Sequence, residues 1–432
     1  MEKTKNRGRF YLALVIFSLV GQVAWVVENM YFNVFLYKMF HASASDISLM
    51  VAASAISATV TTLIIGALSD KIGKRKLFIC GGYIVWGVTI WSFALIRTDV
   101  IDAVFPGVAS AAAVGVSLVI IMDCVMTFFG SSANDACFNA WLTDMTDETN
   151  RGAAEGINAM MPLLAILVVF GGFMGFDLNL SESWVTIFTI IGIVVIAIGV
   201  AGIFLIEEPK IKTEGNQNYF GNILYGFRPG VITANKPLYA TLLAVAAFNI
   251  SIQIFMPYLI LYYNVTLQMA DYVLIMAPAI ILAAVFTAFY GRVYDRLGFR
   301  RAVIAPIVLL MAGYVVLYFC RSTLLVFVGS LLMMCGNLGG GAMFGAMVRD
   351  HTPDNKAGMF QGLRICAQVL IPGVVGPAIG AAVLKNAATI VNDDGTTSFI
   401  PNANVFLAAF VAGIAIWIVL AWLFRMLKKE ET

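Results

Sequence analysis

The chain has 432 residues, 60% of them hydrophobic and only 12% charged, with a mean hydropathy of +0.89. A soluble domain carries about 25% charged residues, so this composition excludes a soluble enzyme or a secreted domain. The net charge of +2 gives no basis for nucleic-acid binding or a polybasic arm. Cys80, Cys124, Cys137, Cys320, Cys335 and Cys366 sit singly in apolar stretches, without the spacing of a disulfide framework or a zinc site.

A membrane crossing takes about 20 apolar residues, so the length accommodates about a dozen. Apolar runs predict spans over 10–38, 46–69, 77–98, 114–142, 153–176 and 184–206, then over 237–263, 271–291, 302–320, 323–348, 358–384 and 404–426. The first run follows Lys3, Lys5, Arg7 and Arg9 but is too long for a signal-peptide core and lacks a small-residue cleavage site, so it reads as an uncleaved span. With the N-terminus inside, all but four of the 27 Lys and Arg fall on the cytoplasmic side, the exceptions being Lys38, Arg97, Arg321 and Lys385. Both termini are therefore expected in the cytoplasm.

The first span carries Glu28, flanked on its face by Gln22, Trp25, Asn29 and Asn33. A charged group in a span costs at least ~2.5–3.5 kcal/mol on insertion scales, so it marks function by default. Amides beside an aromatic ring suit sugar binding, where hydroxyls need hydrogen bonds and C–H faces need a flat surface. The stretch 99–113 is expected to be an external loop with an interfacial helix. In the fourth span Asp123, Thr127, Ser131, Asp135, Asn139 and Thr143 recur every fourth residue. That places one polar face along most of the helix, which must look onto a cavity or other helices rather than lipid. Asp135 lies about 12 Å from the cytoplasmic end and Asp123 about 30 Å, at 1.5 Å per residue. Asp123 is read either as part of the coupling machinery or as a solvated group at the outer mouth.

Residues 207–236 are expected to link two six-helix halves, 1–206 and 237–432, with Tyr219, Ile223, Leu224 and Phe227 forming one face of a short amphipathic helix on the inner leaflet. The second half has no acid deep in a span. Its polar candidates are Asn249, Gln253, Tyr258 and Asn337, with Arg364 and Gln368 on the eleventh span, Arg364 being close enough to the cytoplasmic end to snorkel to water. Gly336, Gly339, Gly341, Pro372, Gly376 and Pro377 read as helix packing before gating hinges.

A carboxylate buried without a cation is easily protonated, which makes Glu28 and Asp135 candidates for proton coupling. Direct cation ligation, assisted by Asn29, Asn33, Asn134 and Asn139, is the alternative. No P-loop occurs, so ATP is not the energy source, and nothing calls for a cofactor or metal.

The halves also repeat each other. Gly66, Asp70, Gly73 and Arg75 with Lys76 follow the second span, and Gly291, Asp295, Gly298 and Arg300 with Arg301 follow the eighth, aligned without a gap at an offset of 225. Asp144, Thr146, Gly152 and Gly156 match Asp350, Thr352, Gly358 and Gly362 at an offset of 206. Both halves start from the same side, so the repeat is parallel about an axis along the membrane normal, with the substrate site expected near the midplane between them.

The G-x-x-x-D-x-x-G-x-R-K/R pattern, present twice, resembles the signature of the major facilitator superfamily. The resemblance covers essentially the whole chain. It implies an all-α membrane protein of twelve transmembrane helices in two parallel-repeat six-helix bundles that rock about a central cavity. It further implies that Asp70 and Asp295 cap facing helix starts near Gly358 and Gly152 and so latch the outward-open state. The stretch Asn134-Asp135-Ala-Cys-Phe138-Asn-Ala-Trp141 resembles the fourth helix of glycoside–pentoside–hexuronide:cation symporters, and more loosely sucrose:proton symporters, which gives Asp135 a sugar-bonding role. Where that family carries two acids in the second helix for sodium, this sequence has Ala58 and Thr62, so protons are implied ahead of sodium. The function expected is proton-coupled uptake of a sugar-like small solute by a monomer in the cell membrane. A proton-coupled exporter or flippase of an amphiphile is the alternative, and a non-transporting membrane sensor a further one.

Overall fold

A computed structural model describes residues 7–107, 110–147, 150–209, 225–269, 271–352, 357–392 and 395–430. Twelve helices are long and apolar enough to cross a membrane: Gly8–Phe40, Ala44–Ile72, Arg75–Leu95, Ala111–Asp144, Arg151–Phe173, Ser181–Leu205, Lys236–Thr266, Tyr272–Tyr294, Phe299–Phe319, Thr323–His351, Gly362–Leu384 and Asn404–Leu427. They are the first to twelfth spans below. Each predicted span has its counterpart, because an apolar run of this length in lipid can satisfy its backbone polar groups only as a helix.

The ends of the spans follow from local chemistry. Gly73 and Gly298, equivalent in the two repeats, take φ of +70° and +68° just after the second and eighth spans. A side chain is strained there, so the repeated glycine is a backbone requirement. Ser110 Oγ accepts from the Ala113 N–H at 3.2 Å and caps the fourth span. The start of the third span is capped from a distance: Glu208 Oε1 accepts from the backbone N–H groups of Arg75 at 2.6 Å and Lys76 at 3.3 Å.

The chain divides into two compact units, Met1–Ala42 with Ala53–Gly221, and Ser43–Ala52 with Asn222–Thr432. In the first, Phe32, Phe35, Phe93, Trp184 and Phe188 form an aromatic core with ring centroids 4.6–5.8 Å apart. In the second, Phe255, Tyr262, Tyr314 and Phe406 do the same. The glycines left open between packing and hinge roles sit at tight helix contacts. A Cβ on Gly336 would lie 2.3 Å from Leu310 N, and one on Gly376 2.5 Å from Gln253 Cβ, so both let neighbouring helices approach closely.

The connections hold one unexpected element. The loop before the last span contains a small β-hairpin, β1 (Thr389–Val391) paired antiparallel with β2 (Thr397–Phe399), in an otherwise all-α fold. The short helix Thr98–Val104 lies in the loop where an interfacial helix was expected. Of the linker, Tyr219, Ile223 and Leu224 fall outside the described residues; Phe227 lies in a single 3-10 turn, Tyr225–Phe227, followed by the helix Pro229–Ala234.

Candidate functional site

Among the described residues, four spans contain π-helical turns, and in the first unit these turns coincide with two of the three candidate acids. Val27–Phe32 and Ser131–Phe138 are wound as π-helix, as are Tyr262–Thr266 and Cys366–Leu370 in the second unit. Such widened turns concentrate at functional positions. The first contains Glu28, the second Asn134 and Asp135.

Glu28 is 7% exposed. Its Oε1 accepts from Ser54 Oγ on the second span at 2.6 Å and from Thr127 Oγ1 on the fourth at 2.9 Å, and these two hydroxyls are themselves 2.9 Å apart. Its Oε2 is buried without a hydrogen-bond partner. Contact with Thr127 places Glu28 one helical turn, about 6 Å, from Asp123 and two turns, about 12 Å, from Asp135 along the fourth span. Glu28 interacts electrostatically with both. The three acids thus form a file with Glu28 in the middle. Asp123 is 1% exposed and its Oδ1 has no hydrogen-bond partner, which corrects the picture of a solvated carboxylate at the outer mouth: Ser54 and the neighbouring helices shut water out.

Asp135 is partly exposed. Ser131 Oγ donates to its Oδ2 at 2.9 Å and Asn134 Nδ2 to its Oδ1 at 3.3 Å. The Trp25 indole lies close enough to interact with Asp135, yet its buried N–H has no acceptor in hydrogen-bonding geometry. Asn29 and Asn33 turn their amide nitrogens back to the carbonyls of Trp25 and Asn29, at 2.8 and 3.0 Å, which leaves their oxygens for other donors; Asn33 Oδ1 is buried and unpartnered. Asn139 similarly donates to the Asp135 carbonyl at 3.1 Å and is exposed, and Gln22 is half-buried. Among the described residues, no hydrogen bond or ion pair joins Glu28, Asp123 or Asp135 to a cationic side chain.

In the second unit, Asn249, Gln253 and Asn337 are half-buried. Tyr258, expected to face solute, is fully buried, and its hydroxyl lies 2.9 Å from the Ala44 carbonyl and 3.4 Å from that of Pro377, so it is a packing group. Arg364 is exposed, donates from Nε to Gln368 Oε1 at 3.2 Å, and lines a pocket of about 100 Å³ with Leu238, Leu242, Val348, Arg349, Thr352 and Phe360.

The signature residues form a network in the first unit. Arg75, 5% exposed, donates to Asp70, to Ser69 Oγ at 2.5 Å and to Asp144 Oδ2 at 3.0 Å. The two signatures of that half are therefore tied by one guanidinium, whose fork matches several acceptors at once. Gly66 is half-buried beside it. In the second unit, Gly291 is half-buried, Arg300 Nη2 donates to the Phe424 carbonyl at 2.8 Å, and Tyr294 donates to Asp350. The Asp295 side chain lies outside the described residues.

Ser54 and Tyr83 are neighbours of the acids that reading the sequence did not nominate, as is Trp86, which packs on Trp25 at 5.1 Å between ring centroids, one step further out. A serine, tyrosine or tryptophan in an apolar run costs too little to stand out as a carboxylate does.

Twelve spans in two units, with carboxylates and amides buried inside the spans, define a multi-pass membrane protein of the transporter class. The chain belongs to the major facilitator superfamily, whose family model, described as Major Facilitator Superfamily, matches residues 11–377 and 239–432. Comparison with curated proteins gives no match. Among solved structures, a D-xylose–proton symporter is similar at 12% identity and a TM-score of 0.74, covering 96% of this chain and 97% of its own. The nucleoside transporter NupG is similar at 12% identity and a TM-score of 0.69, covering 96% and 98%. A bacterial homologue of the human lysosomal transporter Spinster, inward-facing and unoccupied, is similar at 14% identity and a TM-score of 0.67, covering 97% of each. Likeness at these identities establishes the fold.

Proposed function

We propose that the protein takes up a sugar, glycoside or similar polyhydroxylated solute together with protons, by alternating access of its two six-helix halves. The observation that carries this reading is the chemistry around the buried acids. Glu28 is held by two hydroxyls, Asp135 by a hydroxyl and an amide. A hydroxyl donates to a carboxylate and, turned about its C–O bond, accepts from a carboxylic acid. A lysine or arginine partner would serve the anion alone. The site is therefore suited to a carboxyl group that gains and loses a proton in place.

In this reading Glu28, Asp123 and Asp135 carry the coupling proton, and Trp25, Asn29, Asn33, Asn139 and Gln22 hold the solute with Asn249, Gln253, Asn337, Arg364 and Gln368, while Asn134, expected among the solute contacts, is 3% exposed and bonded to Asp135 and so orients that acid instead. The Asp70–Arg75–Asp144 network is the part of the latch that rearranges between states. The distribution of Lys and Arg supports cytoplasmic termini. One of the similar structures is a D-xylose–proton symporter, in keeping with this substrate class.

The test is uptake of a panel of labelled sugars into proteoliposomes under an imposed pH or sodium gradient, beside Glu28→Gln and Asp135→Asn. Accumulation that requires the pH gradient and fails in either variant is expected. No uptake of any sugar, with lipid or amphiphile movement instead, would transfer the reading to an exporter or flippase.

A further inference from the structure

We propose that Tyr83 is a positioning residue for Asp135: through Asn134 it forms a hydrogen-bond relay with two arrangements, one matched to the Asp135 carboxylate and the other to its acid. The inference rests on the reading above in one respect, that Asp135 exchanges a proton.

Tyr83 lies on the third span, fully buried, with its ring against Phe17 at 4.8 Å and Trp86 at 5.4 Å between centroids. Its hydroxyl has one proton and two acceptors in reach, the Phe17 carbonyl at 2.8 Å and Asn134 Oδ1 at 2.9 Å. Asn134, 3% exposed, stands between that hydroxyl and Asp135 Oδ1. An amide side chain offers an acceptor on one side and donors on the other, and turning it half a rotation exchanges them.

With Asp135 as carboxylate, the Tyr83 O–H donates to Asn134 Oδ1, and Asn134 Nδ2 donates to Asp135 Oδ1. With Asp135 as acid, the turned amide accepts from the Asp135 O–H. Its Nδ2 then donates to the Tyr83 oxygen, and the Tyr83 O–H swings to the Phe17 carbonyl. One proton is gained, at Asp135 alone; Tyr83 keeps its own, and no link in the relay is left without a partner in either arrangement. A buried polar chain that is satisfied in one state only would penalise the other, whereas this chain serves both. The space for it is set by Gly21 on the first span, where a Cβ would lie 2.5 Å from Asn134 Oδ1 and 2.6 Å from the Tyr83 oxygen. The Phe17 carbonyl carries the change to the backbone of the first span, eleven residues before Glu28. Among the described residues, the titratable groups facing Asp135 are Tyr83 itself from the third span and Glu28 from the first, with Asp123 acting through Glu28.

The relay can be read without any solute, by infrared difference spectra of the full-length protein in lipid nanodiscs between acid and neutral pH. Carboxyl bands missing from Asp135→Asn but retained in Glu28→Gln report Asp135. The relay predicts that its titration is accompanied by a shift of the phenol band of Tyr83. Both states keep a full set of partners, but the hydrogen bond to the charged carboxylate is the stronger one, so Tyr83→Phe should displace the Asp135 midpoint by about half to one pH unit, three- to tenfold in the protonation equilibrium. In an Asn134→Leu background Tyr83→Phe should leave the midpoint where it is. The same displacement in both backgrounds, or none in either, would overturn the relay. Should Asn134→Leu fail to fold, an unperturbed Tyr83 band during the wild-type Asp135 titration overturns it equally. Failure of sugar uptake with an intact infrared relay would count against the proposed solute alone.

Discussion

Gly21→Ala is a demanding mutation of the first unit. The new methyl would stand 2.5 Å from Asn134 Oδ1 and 2.6 Å from the Tyr83 oxygen. Real Cβ contacts almost never fall below 3.0 Å, and the tyrosine has no room to retreat, wedged between Phe17 and Trp86 and bonded to the Phe17 carbonyl. Overpacking of a tight core costs about 1–3 kcal/mol, and each buried hydrogen bond broken adds about 1 kcal/mol. The expected loss of stability is thus about 2–4 kcal/mol. Gly171→Ala is the matched control, being exposed with nothing within 4 Å of its added Cβ, and should change stability by less than about 0.5 kcal/mol. Thermal unfolding followed by a thiol-reactive dye suits the comparison, since Cys80, Cys137 and Cys335 are buried and free. A Gly21→Ala protein that unfolds together with wild type and the control would refute the packing argument.

Arg75→Ala should cost about 2–4 kcal/mol by the same assay. That is less than a fully buried pair would lose, because Asp70 and Asp144 are 46% and 29% exposed and can rehydrate. Glu208→Ala removes the remote cap of the third span and should cost about 0.5–2 kcal/mol, read from the same melts. Outside the spans, the Arg97 fork on Asp99, at 2.9 and 2.7 Å, holds that carboxyl below its usual range. A depressed carboxyl stabilises above its unfolded pKa and loses that contribution as pH falls through its folded value. Arg97→Gln should therefore raise the Asp99 midpoint toward the ordinary carboxylate range in a site-resolved titration, with little change in stability, the pair being exposed. Thr127→Val takes one donor from Glu28 and should reduce pH-driven uptake several-fold while leaving Gly21-dependent stability untouched.

The spans were legible because hydropathy over twenty residues has one solution in lipid, and the repeat was legible because Gly73 and Gly298 need a positive φ that only glycine takes easily. The polar stripe of the fourth span led to Asp135 and Asp123, and the isolated charge in the first span led to Glu28. Reading the sequence could not give the level at which Glu28 meets that stripe. This depends on which member of the stripe, Thr127, meets Glu28 and on Ser54, a hydroxyl cheap enough in a span to leave no trace in composition. The π-helical turns at Val27–Phe32 and Ser131–Phe138 were equally hidden, since the same residues suit an α-helix. Tyr258 misled for the opposite reason: a tyrosine in a span looks polar, yet its hydroxyl is occupied by main-chain carbonyls. The hairpin at Thr389–Phe399 lay in a stretch too short and too mixed in character to announce paired strands.

The central claim is that solute and proton cross together through the buried acids of the first unit. Its most direct test is solute-induced proton entry into proteoliposomes that hold a trapped pH dye and have no imposed gradient. Wild type should acidify the lumen when a transported sugar is added outside, and Glu28→Gln should not. Sugar entry of undiminished rate with no pH change in wild type would contradict the account.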